Sequence, residues 1–280
     1  MQRVLSTVLI VLAILVTPLY GEAASIGEKF SGESYSYTLG FWLFDDVAEA
    51  EISLEKKGAY YVATLKAHTK GFLDFIRHRE DSYTAIMEEV DGGRRFRTVK
   101  FEKNIKLGKK VKKTITVLDY KEKIIRWQKW RKGKKIKEGT LPIPEGTVYD
   151  CPLTAFYNFR FGVYGAIKEG AQYRIKTLPK EDGKEIEIYL RILTDKEKVK
   201  RRIKKKKNPF PQRYYFADAK IPKKLFDSRS GKVEILFDEA LIPFFAVARD
   251  VIFFGDVRGE LIKHKVEQND NTEPSEKVSK

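Results

Sequence analysis

Residues 33–41 read Glu33-Ser34-Tyr35-Ser36-Tyr37-Thr38-Leu39-Gly40-Phe41, with Tyr35, Tyr37, Leu39 and Phe41 alternating against Ser34, Ser36 and Thr38. A period of two puts the apolar set on one face of an extended strand and the hydroxyl set on the other. The same rhythm returns at 48–54, 59–67, 95–101, 112–118, 123–130, 171–177, 185–192, 213–219, 231–237 and 246–262. Short breaks separate these runs, among them Asp91-Gly92-Gly93, Lys132-Gly133-Lys134 and Asp182-Gly183-Lys184. Such breaks suit hairpins, and roughly ten strands joined by short links imply antiparallel pairing. The fold expected is mainly β: a strongly curved antiparallel sheet or incomplete barrel, with one short helix near its mouth.

That helix interrupts the alternation. After Asp150, the run Cys151-Pro152-Leu153 leads to Phe156, Tyr157 and Phe161 at helical spacing. Asp150 is placed to cap the first turn, Pro152 fits it sterically, Arg160 falls near the negative end, and Gly162 stops it. The spacing predicts about three turns, packed on one face of the sheet or plugging its open end.

The chain has 280 residues, 42% of them hydrophobic and 34% charged, enough to bury a sizeable core. A single cysteine, Cys151, excludes an internal disulfide framework and any multi-cysteine metal site. Lys and Glu are abundant while Asn, Gln, Met and Cys are scarce, a bias shared with proteins from hot habitats.

The N-terminus reads as an export signal over residues 1–23. Arg3 supplies the positive start, Val4 to Val16 is almost continuously apolar, Pro18 breaks the helix, and Gly21-Glu22-Ala23 offers small residues for cleavage after Ala23. A run of 13 residues falls short of the roughly 20 needed to cross a bilayer. An uncleaved N-terminal anchor is the alternative; a lipoprotein anchor is excluded because no cysteine lies near. Leu241 to Phe254 is also too short to span, and it contains Arg249 and Asp250. The expected organisation is a signal at 1–23, one β-rich domain at 27–264 and a polar, disordered tail at 265–280. In a Gram-negative cell that makes the protein periplasmic.

Three stretches resemble one family. Val148-Tyr149-Asp150-Cys151-Pro152-Leu153-Thr154-Ala155-Phe156-Tyr157-Asn158-Phe159-Arg160 resembles the D-P-L-S-A-F-Y-x-x-R stretch of an exported bacterial family, domain of unknown function 3108. Phe30-Ser31-Gly32-Glu33-Ser34-Tyr35-Ser36-Tyr37 is similar to its first strand, G-E-x-L-x-Y. Phe254-Gly255-Asp256-Val257-Arg258-Gly259-Glu260-Leu261 is similar to its last. Cys151 stands as an insertion between Asp150 and Pro152, and the usual Gly after strand one is missing near Asp45-Asp46. The resemblance implies an exported, β-rich envelope protein with no established activity, so it brings no catalytic residues.

The net charge of +16 is concentrated. Residues 94–137 hold 19 Lys and Arg against 3 acids, and 192–213 hold 10 against 2, leaving a net of −8 elsewhere. In the first region, bases are threaded through strands beside Trp127 and Trp130; in the second, Lys196 to Lys207 reads as a long hairpin tip. A solvated face is the plain reading. The functional one is attraction to an anionic lipid, lipopolysaccharide phosphate or acidic wall polymer, met by Lys109, Lys110, Lys112, Lys113, Arg126, Lys129, Arg131, Arg201, Arg202, Lys204 and Lys205. Trp127 and Trp130 would suit a membrane surface as its interfacial aromatics. Nucleic acid is disfavoured by export.

A reaction is not written in the chain. His68, His78 and His264 lack metal-ligand spacing, and Cys151 has no sequence-adjacent base. Asp45-Asp46 and Glu80-Asp81 point to opposite faces if they lie on strands, so they make poor acid–base pairs. No nucleophile elbow, Walker loop or dinucleotide fingerprint is present. Tyr157 and Arg160 either hold the helix to the sheet or line a pocket. Phe244-Phe245 and Phe253-Phe254 put rings on both strand faces, which suits a curved sheet with a cavity or helix on one side, or simply a thick core. The leading expectation is a non-enzymatic binder of a lipid or other amphipathic anionic envelope component, needing no cofactor, with Tyr157, Arg160, Trp127 and Trp130 at the ligand. The alternatives are an assembly factor docking an acidic partner through its basic faces and, third, an envelope glycan hydrolase.

Overall fold

The computed structural model describes residues 24–41, 44–201, 210–223, 228–252 and 254–267. The expected signal, the residues Arg202 to Pro209, Phe253 and most of the expected tail lie outside them. Within the described residues fourteen strands form one antiparallel sheet. The first eight are β1 (Glu33–Phe41), β2 (Phe44–Lys57), β3 (Tyr60–Thr69), β4 (Arg79–Val90), β5 (Arg95–Leu107), β6 (Lys110–Asp119), β7 (Ile124–Arg131) and β8 (Lys134–Pro142). The remaining six are β9 (Gln172–Thr177), β10 (Ile186–Ile192), β11 (Tyr215–Lys220), β12 (Lys232–Phe237), β13 (Pro243–Val251) and β14 (Gly255–Val266). Both halves are meanders, joined where β1 pairs with β14, so β8 and β9 are the two free edges. The sheet curves but does not close.

The count exceeds the expectation for three reasons. Residues 246–262 form two strands with a turn between them, at which Asp250 takes a positive φ of 53°. Strand β8 is an exposed edge with almost no apolar residues, and β4 carries Ile86 on its outer face, so neither alternates cleanly. Strand β14 runs to Val266, opposite Glu33, two residues into the expected tail.

Among the described residues four helices accompany the sheet: α1 (Ile26–Phe30), α2 (Gly71–Arg77), α3 (Pro152–Phe161) and α4 (Asp195–Lys200). The start of the basic run, expected in a hairpin tip, is therefore α4, capped by a reciprocal Thr194–Glu197 box. Helix α3 is the one foreseen. It lies in the β8-to-β9 connection and fills one end of the curved sheet. Phe156, Tyr157 and Leu153 pack on Leu54, Tyr61, Tyr83, Met87 and Phe96, while Phe159 packs on Tyr173, Ile192 and Phe237. A helix apolar on nearly all sides is one wrapped by its fold. Gly162, at φ 88°, ends it in a left-handed cap, as anticipated.

Asp150 does not cap this helix; Cys151 occupies the cap position and makes no side-chain bond there. Asp150 is buried instead against Arg95 (2.7 Å) and the Tyr164 hydroxyl (2.5 Å). Three polar links fix α3. Asn158 donates to Phe96 O and accepts from Phe96 N, both at 2.9 Å, standing in for a neighbouring strand where β6 no longer pairs with β5. Thr154 bonds Thr98 at 2.7 Å. Arg160 donates to both carboxylate oxygens of Glu33, at 2.6 and 3.0 Å, and to Leu241 O at 2.8 Å.

On the outer face, Phe245, Phe216 and Leu236 are covered by Phe210 and Tyr214, with Phe244 in the same cluster. The paired rings at Phe244-Phe245 thus belong to a second cluster on the outer face of the sheet.

Candidate functional site

Beyond α3 the curved sheet is hollow. Inward positions on β2, β3, β11 and β13 carry Ala48, Ala50, Ala67, Ala219, Ala246 and Ala248, where a filled barrel needs large side chains. The result is a cavity of about 410 Å³, within the roughly 300–1,000 Å³ typical of ligand sites. Its floor is Leu153, Ala155, Phe156 and Phe159 of α3. Its far end reaches Phe41, Leu73 of α2, Val251 and Phe254. The walls are almost wholly apolar, and Arg79 and Asp81, an ion pair at 2.9 Å, mark its border on β4.

Across that border the concave face changes character. Residues directly opposite in an antiparallel pair share a face. From Tyr83, which lines the chamber, the register leads to Lys103, then Thr114, then Lys129, then Lys137. From Asp81 it leads to Ile105, Lys112 and Arg131, and from Arg79 to Leu107 and Lys110. The upper halves of β5 to β8 therefore turn Lys103, Lys110, Lys112, Lys129, Arg131 and Lys137 toward the concave side. Lys103 reaches the chamber wall, its Nζ 5.4 Å from the Tyr83 ring centroid.

The two faces of these strands are used differently. Outward lysines are neutralised: Lys113 and Lys100 by Glu102, Lys106 by Glu80. On the concave side Lys129 and Lys137 share Glu181, while Lys110, Lys112 and Arg131 have no ion-pair partner among the described residues. Unneutralised cations beside an apolar chamber form an amphipathic site.

The residues expected at a ligand fall into three groups. Lys109, Lys110, Lys112 and Arg131 are exposed, the last three on the concave strip or its rim. Lys113, Arg126, Lys129 and Arg201 are committed to Glu102, to Asp119, to Glu181, and to Asp218 with Glu234. Arg202, Lys204 and Lys205 lie outside the described residues. Of the four expected around the ligand itself, none lines the chamber. Tyr157 and Arg160 sit on the side of α3 turned away from it, against Phe30 and Glu33. Trp127 is 8% exposed and cannot act as an interfacial aromatic. It lies under Gly139, where a Cβ would come within 2.6 Å of its ring, with Lys137 above it. Trp130, half-buried, is set off by the bulge at Lys129/Trp130 and pairs with Lys113 on the other face. The chamber-lining alanines were missed because a small inward residue reads, strand by strand, as weak alternation.

Cys151 is fully buried, and burial pushes its thiol up, away from nucleophilic use; it contacts Thr154 at 3.2 Å. His78 is held by Asp74 and Glu80, and His264 stacks on Tyr35 at 4.8 Å. No cluster of three or more metal-ligating side chains occurs among the described residues. Among those residues no helix is long and apolar enough to cross a membrane.

Glu181, in the β9–β10 turn, latches the two free edges by accepting from Lys129 of β7 and Lys137 of β8. Those hydrogen bonds hold its carboxyl at about 2, below the ordinary 4.5. A depressed folded value stabilises fully above about 4.5, and the contribution is lost as pH falls through about 2. Hydrogen-exchange protection in β8 and β9 is expected to fall over that window. Glu181→Gln should show the lowered protection at neutral pH as well. Equal protection in the variant and the parent would remove the latch.

Residues 34–259 match the family described as protein of unknown function DUF3108. No curated protein matches the chain. Among solved structures it is similar to a beta-barrel-like protein of domain of unknown function DUF1849 from Brucella abortus, at 12% identity and a TM-score of 0.48, covering 85% of this chain and 99% of that one.

Proposed function

The chain belongs to the DUF3108 family, and from that premise we propose that it is a non-enzymatic binder of an anionic amphipath. One observation carries the reading: the concave face that holds the apolar chamber continues, across β5 to β7, into a strip of inward cations in which Lys110, Lys112 and Arg131 have no ion-pair partner among the described residues. An acyl or comparable apolar tail would enter the chamber, releasing water from both surfaces. The head group would meet Lys110, Lys112 and Arg131, exposed cations whose ion pairs are worth roughly 0.2–1 kcal/mol each. The N-terminal signal pattern supports an exported, periplasmic setting, in which phospholipids and lipopolysaccharide are the abundant molecules of this chemistry.

A docking factor for an acidic protein or wall polymer would use the same lysines but has no need of a hollow. A glycan hydrolase needs two carboxylates facing one cleft. Among the described residues Asp81 is the one carboxylate on the chamber wall, and Arg79 holds it.

Native mass spectrometry of the protein expressed with export, followed by solvent extraction and lipid analysis, tests the proposal. The expected result is a stoichiometric anionic amphipath. An apo mass that persists after incubation with phosphatidylglycerol, lysophosphatidylglycerol and lipopolysaccharide would transfer the basic strip to the docking role.

A further inference from the structure

The chamber's far end is also where the protein exposes its apolar side chains. Ten large hydrophobic residues are exposed among the described ones, and six stand at this end: Phe44, Phe72, Phe75, Ile76, Val111 and Ile136. Three are on α2, with Phe72 75%, Phe75 90% and Ile76 62% exposed, while Leu73 of the same helix lines the chamber. Helix α2 sits between β3 and β4, and Gly108 N of the β5–β6 turn donates to His78 O at its end (2.8 Å). The β5–β6 and β7–β8 turns reach the same end, because Leu107 pairs with Lys110, Lys112 with Arg131 and Arg131 with Lys134.

Charge completes the picture. The acids around α2 are all committed: Asp45 to Arg258, Asp46 and Glu49 to Lys70, Asp74 to His78, Glu80 to Lys106. Lys109, Lys110, Lys132 and Lys134 at the neighbouring turns are exposed and have no ion-pair partner among the described residues. Apolar side chains protruding from separate turns at one end, flanked on one side by these lysines, suit a flat surface better than a groove.

We propose that this end docks on an anionic lipid bilayer, α2 dipping Phe72, Phe75 and Ile76 among the acyl chains while the lysine tips meet the head groups. Each lysine near such a surface adds about 1 kcal/mol of attraction, or roughly fivefold in partition. The docking surface rests on residues outside the chamber wall; its use in loading or unloading the chamber rests on the function proposed above.

The test is flotation of the exported protein, its mass checked for loss of residues 1–23, with vesicles of phosphatidylcholine alone or mixed equally with phosphatidylglycerol. Binding is expected only to the anionic vesicles and should weaken as salt rises. Phe72→Ser, Phe75→Ser and Ile76→Ser together should lower it by about a hundredfold or more. Because all three are exposed, the unfolding midpoint and any co-purified chamber ligand should not change. Phe75→Trp supplies a second readout, a blue shift of its fluorescence on adding anionic vesicles. No binding, binding indifferent to the triple substitution, or a Phe75→Trp signal blind to vesicles overturns the docking. Self-association lost in the triple variant, with vesicles ignored, would assign the patch to a second copy of the chain. A retained ligand with no vesicle binding sinks the docking alone, and vesicle binding without any ligand sinks the chamber reading alone.

Discussion

Replacing Glu33 by Leu is expected to destabilise the protein by about 3–5 kcal/mol, because it leaves the Arg160 guanidinium buried without its counter-charge. Arg160 is 3% exposed and lies at the junction of three elements. Its two bonds to Glu33 reach the start of β1, its Nε bond to Leu241 O reaches the β12–β13 turn, and its guanidinium stands 4.5 Å from the Phe30 ring centroid of α1. Losing the carboxylate forces the end of α3 to open to water or to hold an unpaired charge. Arg160→Met should cost a similar amount, since it takes both guanidinium bonds from the buried Glu33 carboxylate. The double variant should recover much of the loss, because an apolar pair of similar volume removes both desolvation costs at once. Urea midpoints followed by tryptophan fluorescence complete the cycle. Single variants with unchanged midpoints would show that this pair does not hold the closed end.

The pair also shows how far the chain can be read unaided. Spacing puts Tyr157 on the helix and charge puts Arg160 near its negative end, but whether they brace or bind depends on Glu33, 127 residues before Arg160. The alternating strands and α3 were legible because each carries its own period. Helix α2 was not, since Gly71-Phe72-Leu73-Asp74-Phe75-Ile76-Arg77 spans under two turns and has no side-chain cap. The basic strands were legible as charge, not as direction. Which lysines face inward depends on register, and register depends on irregularities such as the shift between Ile86 and Met87, which skips Val99. Trp127 moved from expected surface aromatic to buried residue for the same reason: the residue opposite it is Gly139, which leaves room for the ring.

Filling the chamber should abolish ligand binding without loss of stability. Ala50 and Ala246 face it from β2 and β13, and replacing both with Phe puts two rings into space now bounded by methyl groups. Filling a hollow with apolar atoms stabilises by burial, commonly by about 0.5–2 kcal/mol where the rings fit. The urea midpoint should therefore hold or rise, while bound amphipath in native mass spectra falls more than tenfold. The cationic strip supplies the contrast. Lys110→Glu, Lys112→Glu and Arg131→Glu together leave the chamber walls intact but remove three exposed ion-pair contacts, each worth up to about 1 kcal/mol, and replace them with repulsion of similar size. Anionic amphipaths should then be lost by a hundredfold or more, while a zwitterionic or neutral analogue of the same tail length loses far less. The filled variant should reject both kinds of ligand alike. Distinguishing the two variants matters because a protein that binds anions only on its surface would respond to charge reversal and ignore the filled chamber. If the Ala50→Phe, Ala246→Phe protein still carries a stoichiometric anionic amphipath, the ligand lies outside the hollow, and the small inward residues of β2, β3, β11 and β13 need another explanation.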